Sequence, residues 1–196
     1  MSPLEIAGFV LGFLNIILLI RRSVWNFPAA MAMVTCVGIV LAEARLYSEA
    51  GLQVFFFVVN AWGWWLWSRA KGSDDDVPVR WLSWPARLAW LAGTAAGSVA
   101  LGLAMARYTN AALPMADSAV TGMSIAAQFL LSFRRIENWA AWVVIDVVSI
   151  VLYVIRDLNL LAVLYAAFLV LSIIGLREWT RAYRESRHDP GVFPRR

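Results

Sequence analysis

The sequence predicts an all-α membrane protein of seven transmembrane helices, in which a three-helix unit occurs twice with a single linking helix between the copies. Three observations predict it. Of the 196 residues, 61% are hydrophobic and the mean hydropathy is +0.68, whereas a soluble domain is about 45–50% apolar. Seven apolar stretches approach the roughly 20 residues that a helix needs to cross the hydrocarbon core. Finally, a shift of 112 residues brings the two ends of the chain into register.

The stretches run over 4–20, 24–44, 50–68, 86–106, 114–133, 138–155 and 158–177. The first has Glu5 at its start and Arg21 and Arg22 after it, the reverse of a cleaved signal peptide. Pro28 lies in the first turn of the second, where its missing N–H costs little. "EARLYSEAG" joins the second to the third, and "IRDLN" joins the sixth to the seventh. The longest break is "RAKGSDDDVPVRWLSWP" at 69–85, whose Asp74, Asp75 and Asp76 read as a solvated loop. The expected organisation is a first repeat over 1–68, a loop and linker helix over 69–106, a second repeat over 107–177 and a tail without a fold of its own over 178–196. Pro28, Pro114, Gly38, Gly63 and Gly175 are candidate flex points.

Charge gives the orientation. The segments after the first, third, fifth and seventh stretches hold fourteen of the seventeen Lys and Arg; Arg45, Arg107 and Arg156 lie on the other side. The positive-inside bias puts the N-terminus outside and the C-terminus in the cytoplasm, which requires an odd number of spans. The net charge of +4 therefore reports topology rather than nucleic-acid binding.

Under the 112-residue shift Arg22 falls on Arg134, Asn26 on Asn138, Phe27 on Trp139, Gly63 on Gly175 and Trp67 on Trp179. The offset contains four crossings, so the two triplets point the same way. That is the 3+1+3 parallel repeat known from SWEET-like carriers, which places substrate at the repeat interface near mid-membrane.

Polar residues inside spans carry the functional signal, because they are costly there. Asn138, Trp142, Asp146, Ser149 and Tyr153 follow at steps of four, four, three and four on one stripe of the sixth span, bordered by Trp139. Asp146 is the sharpest, since a central acid costs about 2.5–3.5 kcal/mol on insertion scales. It reads as a substrate or ion contact; the alternative is an acid that pairs helices. Gln128, Gln53, Asn60 and Asn15 are each explicable as interhelical glue, but together they point to a polar cavity. Of the eleven Trp, Trp25, Trp62, Trp65, Trp67, Trp81 and Trp179 read as an interfacial belt. Trp64 is the exception placed with the site. Trp142, flanked by Asn138 and Asp146, suits a planar heteroaromatic ligand that stacks on the ring and is read at its edge.

The strings "ENWAAWVVIDVVSIVLY" and "GLQVFFFVVNAWGWWLW", with Gln128, "ADS" at 116–118 and "GLREW" closing the seventh span, resemble the PnuC family of vitamin transporters over nearly the whole chain. The resemblance implies a facilitator for nicotinamide riboside, with thiamine, riboflavin-type compounds or nucleosides as the alternatives, and a cytoplasmic kinase that traps the substrate by phosphorylation. It implies that Asn138, Trp139, Trp142 and Asp146 bind substrate, and that Gln128 and Asn60 face the pocket. Tyr153, Gln53 and Trp64 complete the candidate set.

Other classes fit less well. One Cys, Cys36, allows no internal disulfide, and one His, His188, argues against a His-based metal site or triad. A retinal protein needs a Lys in its last span, but Lys71 lies in a loop. Without a phosphate-binding Gly-rich loop and Lys, ATP hydrolysis is not expected. A membrane enzyme would rest on Asp146 and Tyr153 alone, a receptor would lack an output module, and a SWEET-like sugar carrier shares only the layout. The expected partners are a small vitamin and the lipid bilayer of a bacterial inner membrane, with no cofactor. A homo-oligomer is compatible with this sequence.

Overall fold

The structure, a computed structural model, describes residues 3–43, 47–70, 77–109, 113–155, 157 and 159–188. Within them lie seven helices: α1 (Pro3–Ile20), α2 (Asn26–Glu43), α3 (Tyr47–Ala70), α4 (Trp84–Tyr108), α5 (Pro114–Ser132), α6 (Glu137–Ile155) and α7 (Asn159–His188). Arg45, Lys71, Asp74, Asp75, Asp76, Arg156, Arg195 and Arg196, which the sequence assigns to loops and tail, lie outside the described residues.

Five of these helices contain a stretch long and apolar enough to span a membrane: α1, α2, α4, α6 and Ala162–Ser186 of α7. The other two of the seven expected spans, α3 and α5, do not reach that composition. The chemistry explains it: α3 carries Gln53, Asn60 and four Trp, while α5 carries Asp117, Thr121, Ser124 and Gln128. These are the residues singled out above as pocket candidates or their neighbours, and they dilute the apolar signal.

The chain divides into two compact units. One comprises Met1–Val79, Ser132–Arg134 and Glu178–Arg196, the other Arg80–Leu131 and Arg135–Arg177. Residues 178–188 continue α7 as helix.

Two helix joints share a geometry at an offset of 112 residues. Helix α1 ends in a Schellman turn, with Ser23 N–H donating to Leu18 O at 2.9 Å, Arg22 N–H donating to Leu19 O at 2.9 Å, and Arg22 at φ 57°. After α5, Arg135 N–H donates to Leu130 O at 2.8 Å and Arg134 sits at φ 60°. An Arg therefore occupies the left-handed position usually given to Gly in both joints. The next helices start alike. Asn26 Nδ2 donates to Ser23 O at 2.7 Å, and Asn138 Nδ2 donates to Arg135 O at 2.6 Å. The Asn beside an aromatic residue thus ties the turn to the first residues of the following helix.

Each aromatic residue then lies against a glycine. A Cβ on Gly63 would stand 2.5 Å from Cε1 of Phe27, and one on Gly175 would stand 2.6 Å from three ring carbons of Trp139. Trp67 and Trp179, expected at the interfacial belt, are instead fully buried. Trp67 meets Phe27 edge-on at 5.1 Å and Trp179 at 5.8 Å, and the Trp179 indole N–H donates to Leu19 O at 3.1 Å. That carbonyl near the end of α1 gives the indole the partner that burial demands. Trp25, Trp65 and Trp84 remain exposed, as a belt requires.

Candidate functional site

The candidate site is built on α6 and the face of α7 that packs on it. The joint before α6 fixes Asn138, whose Nδ2 bonds back to Arg135 O. Its Oδ1 is buried and accepts no hydrogen bond from a described residue. Trp139, 2% exposed, lies over Gly175 of α7. Two turns further on, Asp146 is 3% exposed and its Oδ2 accepts from Ser172 Oγ at 2.8 Å. Ser149 is buried below it. Tyr153 and Tyr165 pack with ring centroids 5.1 Å apart. Trp142 is half-buried on the same stripe, and Gln128 is buried on α5 of the same unit.

The remaining candidates lie on α3, in the other unit. Asn60 is buried, and its Nδ2 donates to Phe56 O of its own helix at 2.8 Å. Gln53 is half-buried and lines a groove of about 510 Å³ between α2 and α3. Trp64 is 38% exposed and lines neither that groove nor a second one of about 600 Å³ between α4 and α5. None of the α6 candidates lines either groove.

Two residues escaped the sequence reasoning: Ser172 and Tyr165. Both were accessible to it, since the 112-residue shift carries Asn60 onto Ser172 and Gln53 onto Tyr165. Ser172, Gly175 and Trp179 also follow one another at helical steps of three and four. A single Ser in an apolar run carries no alarm by itself, unlike Asp146.

A second cluster anchors the start of α6. Glu137 Oε1 accepts from Arg87 Nε at 2.8 Å and from Leu82 N–H at 2.9 Å, while Ile136 N–H donates to Arg80 O at 3.1 Å. The segment before α4 is thereby pinned to the joint that carries Asn138. The arrangement supplies one carboxylate, hydroxyls, amides and indole rings. Such groups can hold a ligand by hydrogen bonding, charge and stacking.

Residues 2–181 match the profile of a family described as nicotinamide mononucleotide transporter. The chain is 28% identical to the nicotinamide riboside transporter PnuC of Escherichia coli K12, over 94% of this chain and 88% of that one. It is 30% identical to the riboflavin/roseoflavin transporter RibM of Streptomyces davaonensis, over 93% and 87%. Its fold is similar to the crystal structure of the vitamin B3 transporter PnuC, with a TM-score of 0.77 at 24% identity, covering 95% of this chain and 83% of that one. With its apolar helices and buried polar stripe, the chain belongs to the nicotinamide mononucleotide transporter family and is a multi-pass membrane transporter of a vitamin-type small molecule, not an enzyme.

Proposed function

We propose that the protein carries nicotinamide riboside across a bacterial inner membrane by facilitated diffusion, with a cytoplasmic kinase trapping the substrate by phosphorylation. All seven helices span the bilayer in the 3+1+3 order, the N-terminus outside and the C-terminus in the cytoplasm. Asn138, Trp139, Trp142 and Asp146 bind the substrate, supported by Gln128 and the α7 residues Ser172 and Tyr165.

The observation that carries this proposal is the buried Asp146 held by Ser172 on an aromatic stripe, in a chain whose relative is a nicotinamide riboside transporter. Nicotinamide riboside carries a flat, cationic pyridinium ring. Trp142 offers that ring a face to stack on, with a cation–π component, and Asp146 offers it the opposite charge. A second proposal, riboflavin, is favoured by the 30% identity to RibM. Its neutral ring would use Asp146 only as a hydrogen-bond acceptor.

Equilibrium binding of the purified protein to nicotinamide riboside, thiamine, riboflavin and nucleosides separates these. Nicotinamide riboside is expected to bind tightest; riboflavin binding tighter refutes the first assignment in favour of the second. Uptake into vesicles without a kinase is expected to stop at equal concentrations inside and out. With the membrane potential clamped at zero, accumulation above that level contradicts facilitated diffusion.

A further inference from the structure

The groove between α4 and α5 belongs to no part of the site above. Ala89, Gly93, Gly97 and Leu101 of α4 and Gly122, Ala126 and Phe129 of α5 are among its walls. Two glycines there lack an internal reason. A Cβ on Gly93 or Gly97 would meet nothing within 4 Å, whereas one on Gly102 would strike Met115 and Ser118. Gly in a helix costs up to about 1 kcal/mol relative to Ala, and the protein's own packing explains Gly102 but not Gly93 or Gly97.

The groove's length bears on its occupant. From Ala89 to Leu101 it follows α4 for about 18 Å, close to the roughly 15 Å of one leaflet's hydrocarbon. Over that length the groove has a volume of about 600 Å³. An acyl chain can lie along an apolar groove of that length.

Charge marks one end. Trp90 and Phe129 close the groove near the start of α4 and the end of α5. Beyond them Arg80 and Arg135 are paired in a backbone bridge, and neither forms an ion pair with a described residue. Arg87 stands over Trp81 and Trp84 with Glu137 as its partner. Arg80 and Arg135 therefore bring two further basic residues to the end of α4 and α5 at which Arg87 is paired with Glu137. A cluster of basic residues at the end of an apolar groove suits an anionic headgroup.

We propose that this groove binds one anionic phospholipid from the leaflet at the N-terminal end of α4, its acyl chain against Gly93 and Gly97 and its phosphate between Arg80 and Arg135. Basic pockets between transmembrane helices are suited to such headgroups.

Native mass spectrometry of the delipidated full chain tests this, using an equimolar mixture of phosphatidylglycerol and phosphatidylcholine. One phosphatidylglycerol per chain is expected to be retained in preference to phosphatidylcholine. Arg80→Gln and Arg135→Gln are each expected to weaken retention about fivefold. Gly97→Leu and Gly93→Leu fill open space, so both are expected to keep the fold while losing the lipid. Equal retention of the two lipids overturns the proposal. So does loss in the arginine variants alone, which means surface adsorption of the headgroup. A change of oligomeric mass in the leucine variants with lipid retention unchanged also overturns it, because a second copy then occupies the face.

Discussion

Helices α2 and α6 begin from the same joint and differ in what they bury. Shifted by 112 residues, the α6 residues Asn138, Trp142, Asp146, Ser149 and Tyr153 correspond to Asn26, Ala30, Val34, Val37 and Leu41 of α2. Val34 and Asp146 are equally buried, at 3% exposure. The third helices differ in step. Ser172 reaches across to the Asp146 carboxylate; its counterpart Asn60 corresponds to a unit in which Val34 stands in place of that acid, and its amide donates to Phe56 O of α3. The shared joint, glycine and aromatic residue set the backbone, and that backbone does not dictate the chemistry on the stripe. A buried carboxylate has to be held by partners, and α7 supplies one.

The comparison can be broken or sharpened by exchange. Val34→Asp places an acid where a valine now packs, and is expected to have the largest cost, about 2.5–3.5 kcal/mol. It would be read as poor membrane insertion or a lowered unfolding midpoint. Insertion and stability equal to the parent protein would show that α2 also has partners for an acid.

Gly63→Ala and Gly175→Ala each push a Cβ against an aromatic ring and are expected to cost about 1–3 kcal/mol of stability. Only Gly175→Ala should also weaken substrate binding, because Trp139 borders the polar stripe. Equal effects on binding would remove the distinction between the units.

Trp142→Ala is expected to lower affinity by about 1–2 kcal/mol, roughly five- to thirtyfold, through lost stacking. Trp62, which packs edge-on against Phe133 at 5.2 Å, is expected to lower it less when replaced by Ala. Binding titrations that give equal losses would undo the pocket assignment. The smallest effect belongs to the turns. Arg22→Gly and Arg134→Gly each relieve about 1 kcal/mol of backbone strain but also remove the interactions of an Arg side chain, so the two are expected to shift the unfolding midpoint alike and by little.

Apolar length located the helices, and the offset of Asn26 to Asn138 marked where two of them start. The stripe on α6 was visible because Asp146 has no ordinary reason to lie in a span. Other features were hidden for physical causes. Trp67 and Trp179 have belt-like positions in sequence, and only the carbonyl of Leu19, 160 residues from Trp179, reveals why burial suits one of them. Helices α3 and α5 dilute their apolar signal with the polar and aromatic residues that make them interesting. The tie from Glu137 to Leu82 and Arg87 joins residues 55 and 50 positions apart, and no local pattern announces it.

The central claim is that the second unit's buried acid recognises the substrate, and Asp146→Val tests it most directly by giving α6 the residue that α2 already has. Equilibrium titration of the purified, folded variant with nicotinamide riboside should show affinity lowered by about 1.5–3 kcal/mol, roughly 10- to 150-fold. Affinity unchanged from the parent protein would contradict the account, leaving Asp146 as a helix-pairing residue and the binding site elsewhere.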